Sequence, residues 1–356
     1  MKRTLQLKRI EKLLKEGKFS HLEKLLLRSS EKDPSFLLHL CWFYLETQKP
    51  EKAFKTAKKL VVTSDSPISR YTYYTAMNHY NPLELEEEKK RLKSWAFDPL
   101  TKNSYLLYSG FINLIQKKYY LAARRFNECA KSGMEVAYWG KARIFLEKGS
   151  KKRALTYLKK SLGSAKDFPF ILLDMGRIYG EMGKRTKSVY YLYRFNQIFP
   201  INKDGHYELG MSLIEYSNRW GPFGRAAGRL GAKELMVKAL LDPPKLENLW
   251  IYRLLSTHYG ARGMLNLSAK WNLIEQQLLY QLISSIEREI SSASKLSQED
   301  LTDQINSLKS LLLDKEIITE EEFLKTFAEI RETRILEEML RLSEDEDKER
   351  EENQIE

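Results

Sequence analysis

Between residues 172 and 200 large apolar side chains fall at Leu172, Met175 and Tyr179 and again, beyond Gly183, at Leu192 and Phe195, before Pro200. The three- and four-residue spacing within each group places these side chains on one face of a helix, and the glycine between the groups marks a turn. The pattern repeats: 34 residues upstream, Gly183, Ser188, Leu192 and Phe195 become Gly149, Ala154, Leu158 and Ser161. Each position has a physical task. Small side chains at Ala154, Ser161 and Ser188 let two helices approach closely. Gly149 and Gly183 supply the left-handed backbone of the turn. Pro200 stops the second helix, because it has no amide hydrogen to donate.

The same frame recurs more loosely along the chain. Gly17, Leu22, Leu26, Ser29 and Pro34 fit a unit at 3–34; Leu37, Leu40, Tyr44, Ala53 and Ala57 fit a second. Tyr71, Tyr74, Ser94 and Pro99 make a weak third, and Leu106, Gly110, Ala122, Phe126 and Cys129 a good fourth. A sixth opens with His206, Leu209, Gly210 and Leu213 and closes with Ala232, Ala239 and Pro244. The run from Leu172 to Pro200 is similar to the tetratricopeptide repeat pattern, and the resemblance covers residues 3–244, most strongly 103–210. It implies an all-α protein: a right-handed α-solenoid of about six TPR-like helical hairpins with a C-terminal helical extension. Residues 245–293 read as capping helices that close the last apolar face. Residues 298–342 read as a C-terminal helical module, with Thr319-Glu320-Glu321-Glu322 as a capping box. Residues 343–356 are charged, lack apolar spacing and are expected to be disordered.

Composition agrees with helices: Leu, Lys, Glu and Tyr abound, and valine is scarce. The two cysteines, Cys41 and Cys129, lie in apolar helical contexts and are expected to be buried, which leaves no disulfide framework. The longest apolar stretch, Phe36 to Leu45, is broken by His39 and is too short to cross a bilayer, and the N-terminus lacks an apolar secretory core. A cytoplasmic location is the expectation. Net charge is +12, unevenly spread: residues 1–314 carry 53 Lys and Arg against 32 Asp and Glu, residues 315–356 carry 7 against 16. A basic body with an acidic tail bears on the choice of partner.

No His-Glu-x-x-His, Cys-x-x-Cys, phosphate loop or Gly-x-Ser-x-Gly elbow occurs, so no catalytic residue, metal or cofactor is expected. His206 occupies a packing position of the repeat and reads as structural. Two stretches suit binding instead. The first, Arg219 to Gly231, combines glycines with arginines and aromatics and reads as an insertion loop whose anchors are Trp220, Phe223, Arg225 and Arg229, with Arg262 in a similar mixture one hairpin later. The alternative is a packed connector. The second is the concave groove that the resemblance implies: its inner slots hold Phe111, Trp139, Arg143, Arg177, Tyr207 and Met211, with Arg143 and Arg177 side by side. Such slots either line an open groove or are covered by the chain's own helices. Open, they suit an acidic or extended protein segment. The expected function is thus a non-catalytic scaffold or adaptor within a larger assembly. The competing reading is a helical-repeat protein associated with RNA or another nucleic acid, favoured by the basic body.

Overall fold

The computed structural model of the protein describes residues 2–217, 222–242 and 244–292. The module expected at 298–342 and the tail at 343–356 lie outside them. The chain divides into two compact units, Met1–Pro243 and Pro244–Glu356. Every regular element among the described residues is helical.

In the first unit the helices run α1 (Lys2–Lys15), α2 (Phe19–Lys32), α3 (Phe36–Glu46), α4 (Pro50–Thr63), α5 (Pro67–Tyr80), α6 (Pro82–Arg91), α7 (Lys102–Ile115), α8 (Tyr119–Lys131), α9 (Val136–Glu147), α10 (Lys151–Ser161), α11 (Phe170–Glu181), α12 (Arg185–Ile198), α13 (Lys203–Ser217) and α14 (Pro222–Leu241). Consecutive helices pair into seven hairpins against an expected count of about six: the unit that opens at His206 is the seventh, not the sixth. The third is the irregular one, as its weak pattern foretold: α6 is short and continues into a 3-10 turn, Leu92–Ala96.

The turn chemistry explains the regularity. Gly17, Gly149 and Gly183 take positive φ of 65°, 71° and 69° between the helices of their hairpins, as the sequence requires. Gln48 and Lys117 adopt the same left-handed conformation, at 55° and 58°, without being glycine. Within hairpins the packing is tight. The ring of Phe126 on α8 lies between Gly110 on α7 and Gly140 on α9; a Cβ would meet it at 2.6 Å from Gly110 and 2.4 Å from Gly140. Small residues at these two sites therefore let one aromatic join three helices. Cys41 and Cys129 are both buried, and burial drives the Cys41 thiol pKa far up and that of Cys129 to about 12.

The solenoid of the first unit curls until its ends meet. The Lys15 ammonium on α1 lies 3.2 Å from Glu234 on α14. On α3, Glu46 accepts hydrogen bonds from Asn202 Nδ2 and the Lys203 amide, both at 3.3 Å. Trp42 packs on Phe170 and Phe199 with ring centroids 5.2 and 5.6 Å away. The second hairpin thus touches the sixth and seventh across the axis. In the second unit α15 (Leu249–Gly260) and α16 (Leu265–Ser292) form a further antiparallel pair, joined by Arg253 Nε to Glu275 at 2.6 Å and by Tyr252 stacked near Trp271.

Candidate functional site

The inner helices α5, α7, α9 and α11 bring their aromatic side chains to the axis of the first unit. Tyr71, Phe111, Trp139, Phe168 and Phe170 form one cluster, with Trp139 and Phe168 centroids 4.7 Å apart and Phe111 stacked on Phe168 at 5.8 Å. Phe111 is fully buried and Trp139 is 2% exposed. The expectation that both line an open groove is corrected here: because the solenoid closes, its concave face becomes core, and their ring faces are already occupied.

Arg143 and Arg177 do stand side by side, and Asp174 is what joins them. This buried carboxylate accepts from Trp139 Nε1 at 2.8 Å and from Arg143 at 3.1 Å, with Arg177 3.8 Å away. Arg177 also donates to Glu208 at 2.7 Å and approaches Asp204 at 3.6 Å. Asp174 raises the Arg143 pKa against burial; for Arg177 burial opposes the charge, but Glu208, Asp174 and Asp204 outweigh it. Both guanidinium groups are therefore committed to internal carboxylates. Tyr207 and Met211 on α13 are half-buried.

The reading of Arg219–Gly231 as a loop is also corrected from Pro222 onward, the residues before it lying outside the described ones. A helix, α14, starts at Pro222, a residue suited to a first helical position. Its Gly231 serves close packing rather than freedom: a Cβ there would meet the Gly210 carbonyl of α13 at 2.9 Å, and one on Gly210 would meet Leu235 at 2.8 Å and the Gly231 carbonyl at 3.1 Å. Trp220 lies outside the described residues, as do the side chains of Phe223 and Arg225. Arg229 is exposed on α14, and Arg262 is exposed in the turn after α15.

Two chambers on the axis are lined by described residues. A small one of about 280 Å³ is polar, with Glu46, His79, Arg143, Asp174, Lys203 and Asp204 around aromatic walls. Burial pushes the Glu46 carboxyl up to about 7, against the pull of Lys203. The larger cavity, about 740 Å³, lies where the turns entering the inner helices converge. Leu7 and Lys8 of α1, Ser35 and Leu38 at the start of α3, Ser64 after α4 and Ile68 at the start of α5, Lys166 and Pro169 before α11, and Tyr193, Asn196 and Gln197 of α12 form its wall. Its volume falls in the usual range for a ligand site. Ser35 Oγ and Asn196 Oδ1 are buried there without a hydrogen-bond partner among the described residues. At its inner edge His206 is a structural node, as its repeat position implied: Nε2 faces the Pro200 carbonyl at 2.7 Å and Nδ1 faces Glu234 at 2.5 Å. Burial opposes the Glu234 charge, yet His206 and Lys15 hold its carboxyl at about 2. No local signal in the sequence marked this cavity, since its walls come from both ends of the unit.

Hairpin geometry, the left-handed turns and the repeated small residues together define a tetratricopeptide-like helical-repeat protein. No family model matches the chain, and no curated protein does. Among solved structures it is similar to MamA, at 12% identity over 49% of this chain and 96% of that one, with a TM-score of 0.38. It is also similar to a chain of the APC/C hetero-tetramer Cut9-Hcn1, at 14% over 73% and 49%, TM-score 0.47. A third likeness is to the human IFIT1 dimer with PPP-AAAA, at 14% over 88% and 86%, TM-score 0.42. No helix among the described residues is long and apolar enough to cross a membrane.

Proposed function

We propose that the protein is a non-catalytic scaffold that holds an extended segment of a protein partner in the 740 Å³ axial cavity. The observation that carries this reading is the wall of the cavity: apolar side chains interleaved with two buried polar oxygens, Ser35 Oγ and Asn196 Oδ1, that lack partners among the described residues. A polypeptide supplies both apolar side chains and amide donors, and a buried acceptor left unpaired costs about 1–3 kcal/mol, which such a donor would recover. Tyr193 and Gln197, exposed on α12, stand on the open side, and the exposed Arg229 on α14 is a second contact in this reading. The bound segment would link the solenoid to a larger assembly.

A phage-displayed peptide library panned on the full chain tests this. Enriched peptides should bind at least ten-fold more weakly to Leu38→Arg and to Ser64→Trp, two variants that fill the cavity from different elements, while helix content stays unchanged. Peptides that bind both variants as tightly as the native chain, or a failure to enrich any peptide, would overturn the reading.

A further inference from the structure

The outer layer of the fourth to sixth hairpins has a different character from the axis. Helices α8, α10 and α12 carry three, five and three Lys or Arg against a single carboxylate, Glu128. Each turns a narrow stripe inward, such as Ala154, Leu158 and Ser161 on α10, and presents its cations on the opposite side. Arg124, Lys151 and Arg185 are paired with Glu128, Glu181 and Glu215. Lys152, Arg153, Lys159, Lys160, Lys187 and Arg194 are exposed, and none has an ion-pair partner among the described residues.

A surface that serves solubility mixes both signs of charge; this one is predominantly cationic and displays tyrosine rings within it. Tyr120 on α8 is 82% exposed and Tyr190 on α12 is 55% exposed. Arg194 lies over the Tyr190 ring at 5.5 Å, and Lys160 over Tyr157 at 5.8 Å. Polyanions meet cations of this kind, and the unpaired bases of a single strand can in addition stack on exposed tyrosine rings. A run of acidic side chains offers no ring to stack, and a duplex keeps its bases stacked on each other.

We propose that the outer layer of α8, α10 and α12 binds single-stranded nucleic acid, with Lys152, Arg153, Lys159 and Lys160 on phosphates and Tyr120 and Tyr190 as stacking platforms. Although α12 contributes to both sites, none of the residues named here lines the axial cavity, so the two proposals are tested by different variants. Fluorescence anisotropy of the full chain with a labelled oligouridine, a duplex of equal charge and poly-glutamate is the test. The single strand should bind tightest, with an affinity that falls steeply as salt rises, because bound phosphates release counterions. Lys152→Glu with Lys159→Glu and Lys160→Glu should weaken it at least ten-fold. Tyr120→Ala with Tyr190→Ala, which leaves the charge intact, should do the same, whereas Leu38→Arg should have no effect. All substituted outer residues are exposed, and circular dichroism checks that folding is kept. Unchanged binding by the tyrosine variant, equal affinity for the duplex or for poly-glutamate, or no binding at low salt would each overturn the proposal.

Discussion

The clasp between α3 and α13 should give the fold a pH dependence that one substitution removes. Glu46 is buried against Asn202 and Lys203, with His79 and Asp204 in the same chamber, and burial raises its carboxyl from 4.5 to about 7. The folded protein therefore keeps a proton that the unfolded chain releases between these values. Stability from this group is present below pH 4.5 and is lost as pH rises to 7 and beyond. The loss amounts to roughly 3 kcal/mol, at 1.36 kcal/mol for each tenfold change in proton affinity. Glu46→Gln mimics the protonated form: its amide oxygen still accepts from Asn202 and the Lys203 amide, and the Lys203 ammonium keeps Asp242 at 3.2 Å. Thermal melts should show the variant and the native chain nearly together at pH 4. By pH 8 the variant should melt higher by roughly 6–12 °C, the shift expected of a unit this size. A difference that is the same at every pH, or a variant that melts lower at pH 8, would refute the argument.

Further predictions follow from packing and turns. Gly140→Ala puts a methyl group into the Phe126 ring and should cost about 1–3 kcal/mol, read as a lower urea midpoint. At Gly183, φ is 69° and a methyl group there would meet no atom within 4 Å, so Gly183→Ala should cost only the conformational term, about 1 kcal/mol, by the same assay. Asp174→Ala should cost roughly 3 kcal/mol, because Arg143 and Arg177 lose the carboxylate they share. A tryptophan fluorescence shift should accompany that loss, as Trp139 Nε1 gives up its acceptor.

Much of the hairpin frame could be read where glycine occupied the turn, at Gly149 and Gly183. At Gln48 and Lys117 the same backbone occurs without the residue type that announces it, and those hairpins were legible only from their apolar and small positions. Glycine misled in the other direction at Gly231, where composition alone cannot separate a residue chosen for freedom from one chosen for contact with Gly210. Arg143 and Arg177, equivalent slots of consecutive units, share Asp174 as a neighbour. What they face was hidden, because closure depends on contacts such as Asn202 to Glu46, 156 residues apart. No local periodicity carries information over that span.

Closure also bears on how such a chain can evolve. In an open solenoid each unit touches only its neighbours, so an internal duplication lengthens the array without breaking what exists. Here an eighth copy anywhere between α4 and α12 would move Glu234 away from Lys15 and Asn202 away from Glu46, stranding buried charge on both sides of the seam. Loss of one copy would do the same in reverse. A change in the number of hairpins would therefore break the seam, whereas substitutions on the outside leave it intact.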